Sequence, residues 1–107
     1  MNEIRKRAIV YEKLKPTLKS LTGSADLDKA LLAAFHTHFP SADIHNLKGI
    51  DNPDEWARLS EEFADRINDR DDATVLKADE KKPLAAKNIV IVNRLIWLCI
   101  EIARRTA

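Results

Sequence analysis

Ile4, Ala8, Tyr11, Leu14, Leu18 and Leu21 recur at steps of three and four residues. That spacing places them on one face of a helix over about residues 3–21. Pro16 falls inside the pattern, removes a hydrogen bond and clashes with the preceding turn, so a kink or split is predicted there. Gly23 supplies a stop. A second helix is predicted from Ser24 or Asp26, both good N-cap types, with Leu27, Ala30, Leu31, Ala34 and Phe35 as its inner stripe and Pro40 as its end. Residues 40–52 read as a loop pinned to the core by Ile44, Leu47 and Ile50. The third helix has the clearest start: Asn52 as N-cap, Pro53 at the first helical position and Glu55 three residues after the cap. Trp56, Leu59, Phe63 and Ile67 then line one face.

Residues 68–82 are strongly charged, and within them Ala73 to Ala78 suits a short strand or extended piece. From Pro83 or Asn88 to Arg105 a final helix is predicted. Ile89 to Val92, Leu95 to Ile100 and Ile102 cover nearly its whole circumference with apolar side chains, so it is expected to be buried all round. The β-branched run Ile89–Val92 also suits a strand; Arg94, Glu101 and Arg105, at steps of seven and four, favour the helix. The expected fold is therefore mainly all-α. It is a compact bundle of about four to five helices around a buried C-terminal helix, with a short β-hairpin near residues 74–80 as an option.

Composition narrows this picture. The 107 residues suit one domain, and a chain of that length buries about 60–70% of its unfolded surface without staples. Cys99 is the only cysteine, so no internal disulfide forms, and a reducing, cytoplasmic setting is expected. Met1 to Lys19 holds no apolar stretch of signal-peptide length, and Ile89 to Ala103 is interrupted by Asn93, Arg94 and Glu101, so no membrane partner is expected. Net charge is +1, which gives no global field for nucleic acid. The charge is uneven, however: residues 1–20 balance at +4 and residues 51–82 at −5. Such a dipole can steer a partner; two solvated faces are the plainer reading.

Catalytic and metal motifs are sparse. His36 and His38 are two apart and fall on different faces of a helix, unlike the i, i+4 metal pair. Cys99, between Trp97, Leu98 and Ile100, reads as a small buried hydrophobe rather than a nucleophile. Asp69, Asp71 and Asp72 lack the glycine and glutamate of a calcium loop, and no glycine-rich phosphate loop or serine elbow is present. No catalytic, metal or cofactor site is expected. The candidate contacts are instead those of a protein partner: the stripe Arg94, Glu101, Arg104 and Arg105, with the acidic segment Asp69, Asp71 and Asp72. Truncating Arg94 or Glu101 is expected to weaken partner capture and leave the fold intact.

The last helix carries a resemblance. Arg94-Leu95-Ile96-Trp97 followed by Ile100-Glu101-Ile102-Ala103-Arg104 resembles the C-terminal signature of the polysaccharide biosynthesis domain-containing protein 1 family. Val10-Tyr11, Phe35 and Phe39, Trp56, Thr74-Val75-Leu76-Lys77 with Asp79, and Asn88 follow in register, so the likeness spans about residues 10–105. The chain departs from the pattern at Arg70-Asp71-Asp72-Ala73, where the family carries an aromatic-Asn-aromatic-Gly run, and at Pro83 and Leu84. The resemblance implies a cytosolic chaperone without nucleotide hydrolysis of its own. Its client would be the newborn GTP-binding domain of the elongation factor that delivers aminoacyl-tRNA, with the ribosome as a further partner. An accessory factor or enzyme in polysaccharide synthesis, as the family label suggests, and a structural subunit of a larger complex are the alternatives.

Overall fold

A computed structural model describes Lys6, residues 9–11 and residues 18–106. Lys6 and residues 9–11 are helical and Leu18 to Gly23 are not; the rest of the predicted first helix, with Pro16, lies outside the described residues. Helix α1 spans Ala25–His38. Its start is fixed twice. Ser24 Oγ accepts from the Leu27 amide at 3.3 Å, and the Asp28 carboxylate accepts from the amides of Leu21 (2.9 Å) and Thr22 (3.0 Å). The first supplies a partner for an amide that a helix N-terminus otherwise leaves open, and the second ties the preceding segment onto the first turn. The helix closes with the Phe39 amide on the Phe35 carbonyl, one residue before Pro40.

Helix α2 spans Pro53–Glu62, and Asn52 caps it by accepting from the Glu55 amide at 3.1 Å. Phe63 and Ile67 stay buried in the turns that follow. Trp56 packs against both aromatic rings at the end of α1, with centroids 5.8 Å from Phe35 and 4.3 Å from Phe39. Between the helices, the Asp43–Lys48 bridge folds the loop back on itself. Gly49, at φ +76°, lets the chain pass close to the Ser41 carbonyl, where a Cβ would sit 2.8 Å from the oxygen.

Strands β1 (Ala73–Lys77) and β2 (Ile89–Asn93) form a two-stranded antiparallel sheet that pairs Thr74 with Val92, Val75 with Ile91 and Leu76 with Val90. Asn88 organises their connection: it accepts from the Asp79 amide at 2.8 Å and donates to the carbonyls of Asp79 (2.9 Å) and Pro83 (3.0 Å). Helix α3, Arg94–Thr106, follows β2 directly, and Asn93 Oδ1 accepts from the Ile96 amide at 2.9 Å. Leu95 and every residue from Trp97 to Arg104 are buried, so α3 is the axis of the core.

This corrects the expected all-α bundle. The fold is mixed α/β, because Ile89–Val92 pair as a strand rather than opening the last helix. β-branched side chains suit a pleated surface better than a helix, and Asn93 marks the change of backbone. The hairpin is also wider than residues 74–80, and Ile91 is 66% exposed rather than buried all round.

Candidate protein-binding site

The charged residues of α3 occupy two environments. Glu101 and Arg104, expected on a surface stripe, are 2% and 5% exposed. Arg104 donates to the carbonyls of Ile44 (2.7 Å) and Lys77 (2.9 Å), while its Nη1 lies 3.5 Å from Glu101 Oε1. The Tyr11 hydroxyl donates to Glu101 Oε2 at 2.9 Å. The pair therefore ties the 40–52 loop, the end of β1 and the N-terminal segment to α3. These two side chains are corrected from partner contacts to interior braces. Glu101 pairs with Arg104 at i, i+3, and Arg105, exposed, donates to the Leu18 carbonyl.

Arg94 stays half-buried at the start of α3. Its guanidinium lies 4.5 Å over the Trp97 ring, and its Nε is 3.5 Å from Asp69 Oδ2. Arg94, Asp69 and Asp72 together border a recess of about 220 Å³ with Tyr11 and Trp97. Asp71 faces elsewhere, onto a larger groove.

That groove, of about 720 Å³, runs between α2 and β2. Leu47, Ile50, Trp56, Val90, Val92 and Ile96 give it apolar walls. The local sequence explains the placement. Alternation along β2 sends Val90 and Val92 to the same face, and the N-cap at Asn52 brings Trp56 round to meet them. The Trp56 indole is held in place by donating to the Ile50 carbonyl at 2.8 Å. Asp51, Glu61 and Asp71 stand exposed around the groove. Arg70, also on the lining, is turned inward, donating to Ser60 Oγ at 3.0 Å and to the Ala64 carbonyl at 3.3 Å. Periodicity identified Trp56 as a core aromatic, and Val90 and Val92 as part of a helix. A strand reading of Ile89–Val92 was the one signal that points to this groove.

Reactive side chains lie away from it. Cys99 is fully enclosed, and burial pushes its thiol well above the ordinary range, which keeps it protonated and un-nucleophilic. His38 presents both ring nitrogens to carboxylates, Nδ1 to Glu55 and Nε2 to Glu62 at 2.9 Å. The Glu55 hydrogen bond chiefly, then that of Glu62, raises the His38 pKa, and His38 in turn lowers that of Glu55. His45 pairs with Glu80. Among the described residues no group of three or more His, Cys, Asp or Glu has the arrangement of a metal site, and no helix is long and apolar enough to cross a membrane.

A family model described as PBDC1 protein matches residues 3–107. The chain belongs to the PBDC1 family, the polysaccharide biosynthesis domain-containing protein 1 family. Comparison with curated proteins and with solved structures finds no match. In this PBDC1 member the residues that carried the resemblance have a physical place. Glu101 and Arg104 of the Ile-Glu-Ile-Ala-Arg segment are the buried brace, Asn88 organises the hairpin connection and Trp56 walls the groove. The departure at residues 70–73 falls where Arg70 and Asp71 line that groove.

Proposed function

We propose that this chain is a non-enzymatic, cytosolic protein-binding domain that assists folding of the nascent GTP-binding domain of the aminoacyl-tRNA-delivering elongation factor at the ribosome. The observation that carries the binding reading is the groove. Its walls are apolar, it is open to solvent, and Val90 on its wall leaves 38% of its surface uncovered. Contiguous exposed apolar surface of this kind marks protein-interaction sites. The choice of client is what the resemblance to the family implies. The carboxylate partners of His38 and His45 and the buried thiol of Cys99 support a role without covalent chemistry.

The test is capture by tagged protein of stalled ribosome–nascent-chain complexes, carrying either the elongation factor's GTP-binding domain or an unrelated domain of equal length. Preferential retention of the former is the expected result. Equal retention of both, or recovery of sugar-processing enzymes in place of nascent chains, overturns the client assignment.

A further inference from the structure

The sheet has two strands and, among the described residues, no third. Its two outer edges are not equivalent. The Ala78 amide donates to the Asn88 carbonyl at 3.0 Å, which makes that opposed pair a hydrogen-bonded one. Hydrogen-bonded and non-hydrogen-bonded pairs alternate along an antiparallel ladder. In the observed register the next bonded pairs are Leu76 with Val90 and Thr74 with Val92. The backbone N–H and C=O groups of Val75 and Lys77 on β1, and of Ile89 and Ile91 on β2, therefore point outward. On β1 the outward Lys77 carbonyl is already taken by Arg104 at 2.9 Å. On β2, among the described residues, no backbone partner pairs with the outward groups of Ile89 and Ile91.

We propose that the outer edge of β2 accepts an extended, apolar peptide segment with flanking lysine or arginine as a third strand. This rests on the protein-binding reading and specifies the chemistry of what is bound. An exposed edge satisfies an incoming strand's main chain, and pockets for alternate side chains supply selectivity. Both faces of an added strand meet apolar surface here. Residues level with Val90 and Val92 reach the groove wall, and those level with Ile91 cover its exposed side chain. The flanking charge follows from Asp51, Glu61 and Asp71, three exposed carboxylates against Arg70, whose guanidinium is already engaged. The same carboxylates disfavour a second copy of this chain as the occupant, because edge-to-edge pairing brings two acidic rims together.

The probe is the synthetic peptide Lys-Val-Thr-Val-Thr-Val-Lys, titrated into the full ¹⁵N-labelled chain. The expected result is saturable shifts at the Ile89 and Ile91 amides and the Trp56 indole. A glutamate-flanked version should bind about tenfold more weakly or worse. Two N-methylated versions, blocked at odd or at even positions, decide the geometry. One parity should abolish binding and the other should be tolerated, since only alternate amides face β2. Ile91→Pro removes an outward N–H and spares the ladder, and should lose the peptide. If that variant does not fold, the N-methyl pair alone decides. No shift with the lysine peptide, or loss that ignores parity, overturns the proposal; so does concentration-dependent dimerisation that the peptide reverses, which assigns the edge to a second copy. Nascent-chain capture run beside it separates the two readings. Capture that persists in Ile91→Pro without peptide binding removes strand addition and leaves the proposed client standing. Peptide binding without capture removes the client and leaves the edge.

Discussion

Glu101 and Arg104, one helical turn apart on α3, are both buried and face each other at 3.5 Å. Arg94, Glu101 and Arg105 sit at steps of seven and four, which reads as a solvated stripe along a buried helix. Glu101 is instead covered from outside by Tyr11, while Arg105 stays exposed, and such a covering element leaves no mark in the helix's own periodicity. Removing one partner of a buried pair leaves the other charge uncompensated. Glu101→Ala should therefore cost about 3–5 kcal/mol, read as a lower urea midpoint at unchanged slope. An unchanged midpoint would put Glu101 back among surface residues. His38 offers a pH-dependent counterpart. A group whose folded pKa is raised contributes stability that is full below its unfolded value, 6.5, and is lost as pH rises through the folded value. Glu55, lowered, contributes above its unfolded value of 4.5 and loses that as pH falls through the folded one. The stability difference between wild type and His38→Gln should thus be larger at about pH 5.5 than at about pH 8.5. Equal differences at the two pH values would show that the contact does not depend on the proton.

At the scale of elements, caps were legible and the one change of backbone type was not. Ser24 and Asn52 stand where local chemistry puts them, because a cap is decided by a few neighbouring residues. Ile89–Val92 depends on a partner strand sixteen residues before it, and an apolar run of that length fits a buried helix or a strand by pattern alone. Its β-branched side chains were the better guide than the spacing of the charges beyond it. Asn93 closes the strand and caps α3 together. Asn93→Ala should cost about 1 kcal/mol, with loss of helical signal at the start of α3 on hydrogen exchange. Gly49 sets the loop that carries Ile50 and Asp51 to the groove. An alanine there meets both a positive φ and the Ser41 carbonyl at 2.8 Å. Gly49→Ala should destabilise by more than the ~1 kcal/mol of an ordinary glycine substitution, and shift the Trp56 indole resonance, since that N–H is bonded to the Ile50 carbonyl.

At the scale of the molecule, one apolar cluster joins α1, α2, β1 and α3 through Phe35, Trp56, Leu76 and the inner face of α3. Cys99 lies inside that cluster, fully enclosed, and as the single cysteine of the chain it is a reporter without competitors. A thiolate is the reactive form, and burial holds this thiol protonated, so labelling requires the sulfur to reach water. Opening the groove does not achieve this, because Cys99 is not among its lining residues. Opening α3 does, and α3 cannot leave without breaking the contacts of Arg104 to the loop and to β1. Labelling of Cys99 by a disulfide reagent should therefore follow global unfolding, with a rate whose urea dependence matches the equilibrium slope. Glu101→Ala should raise that rate in proportion to its loss of stability, and Ile91→Pro, which touches only the outer edge of β2, should leave it nearly unchanged. Fast labelling in the absence of urea would mean that α3 opens on its own, and that the brace of Glu101 and Arg104 does not bind the elements into one cooperative unit.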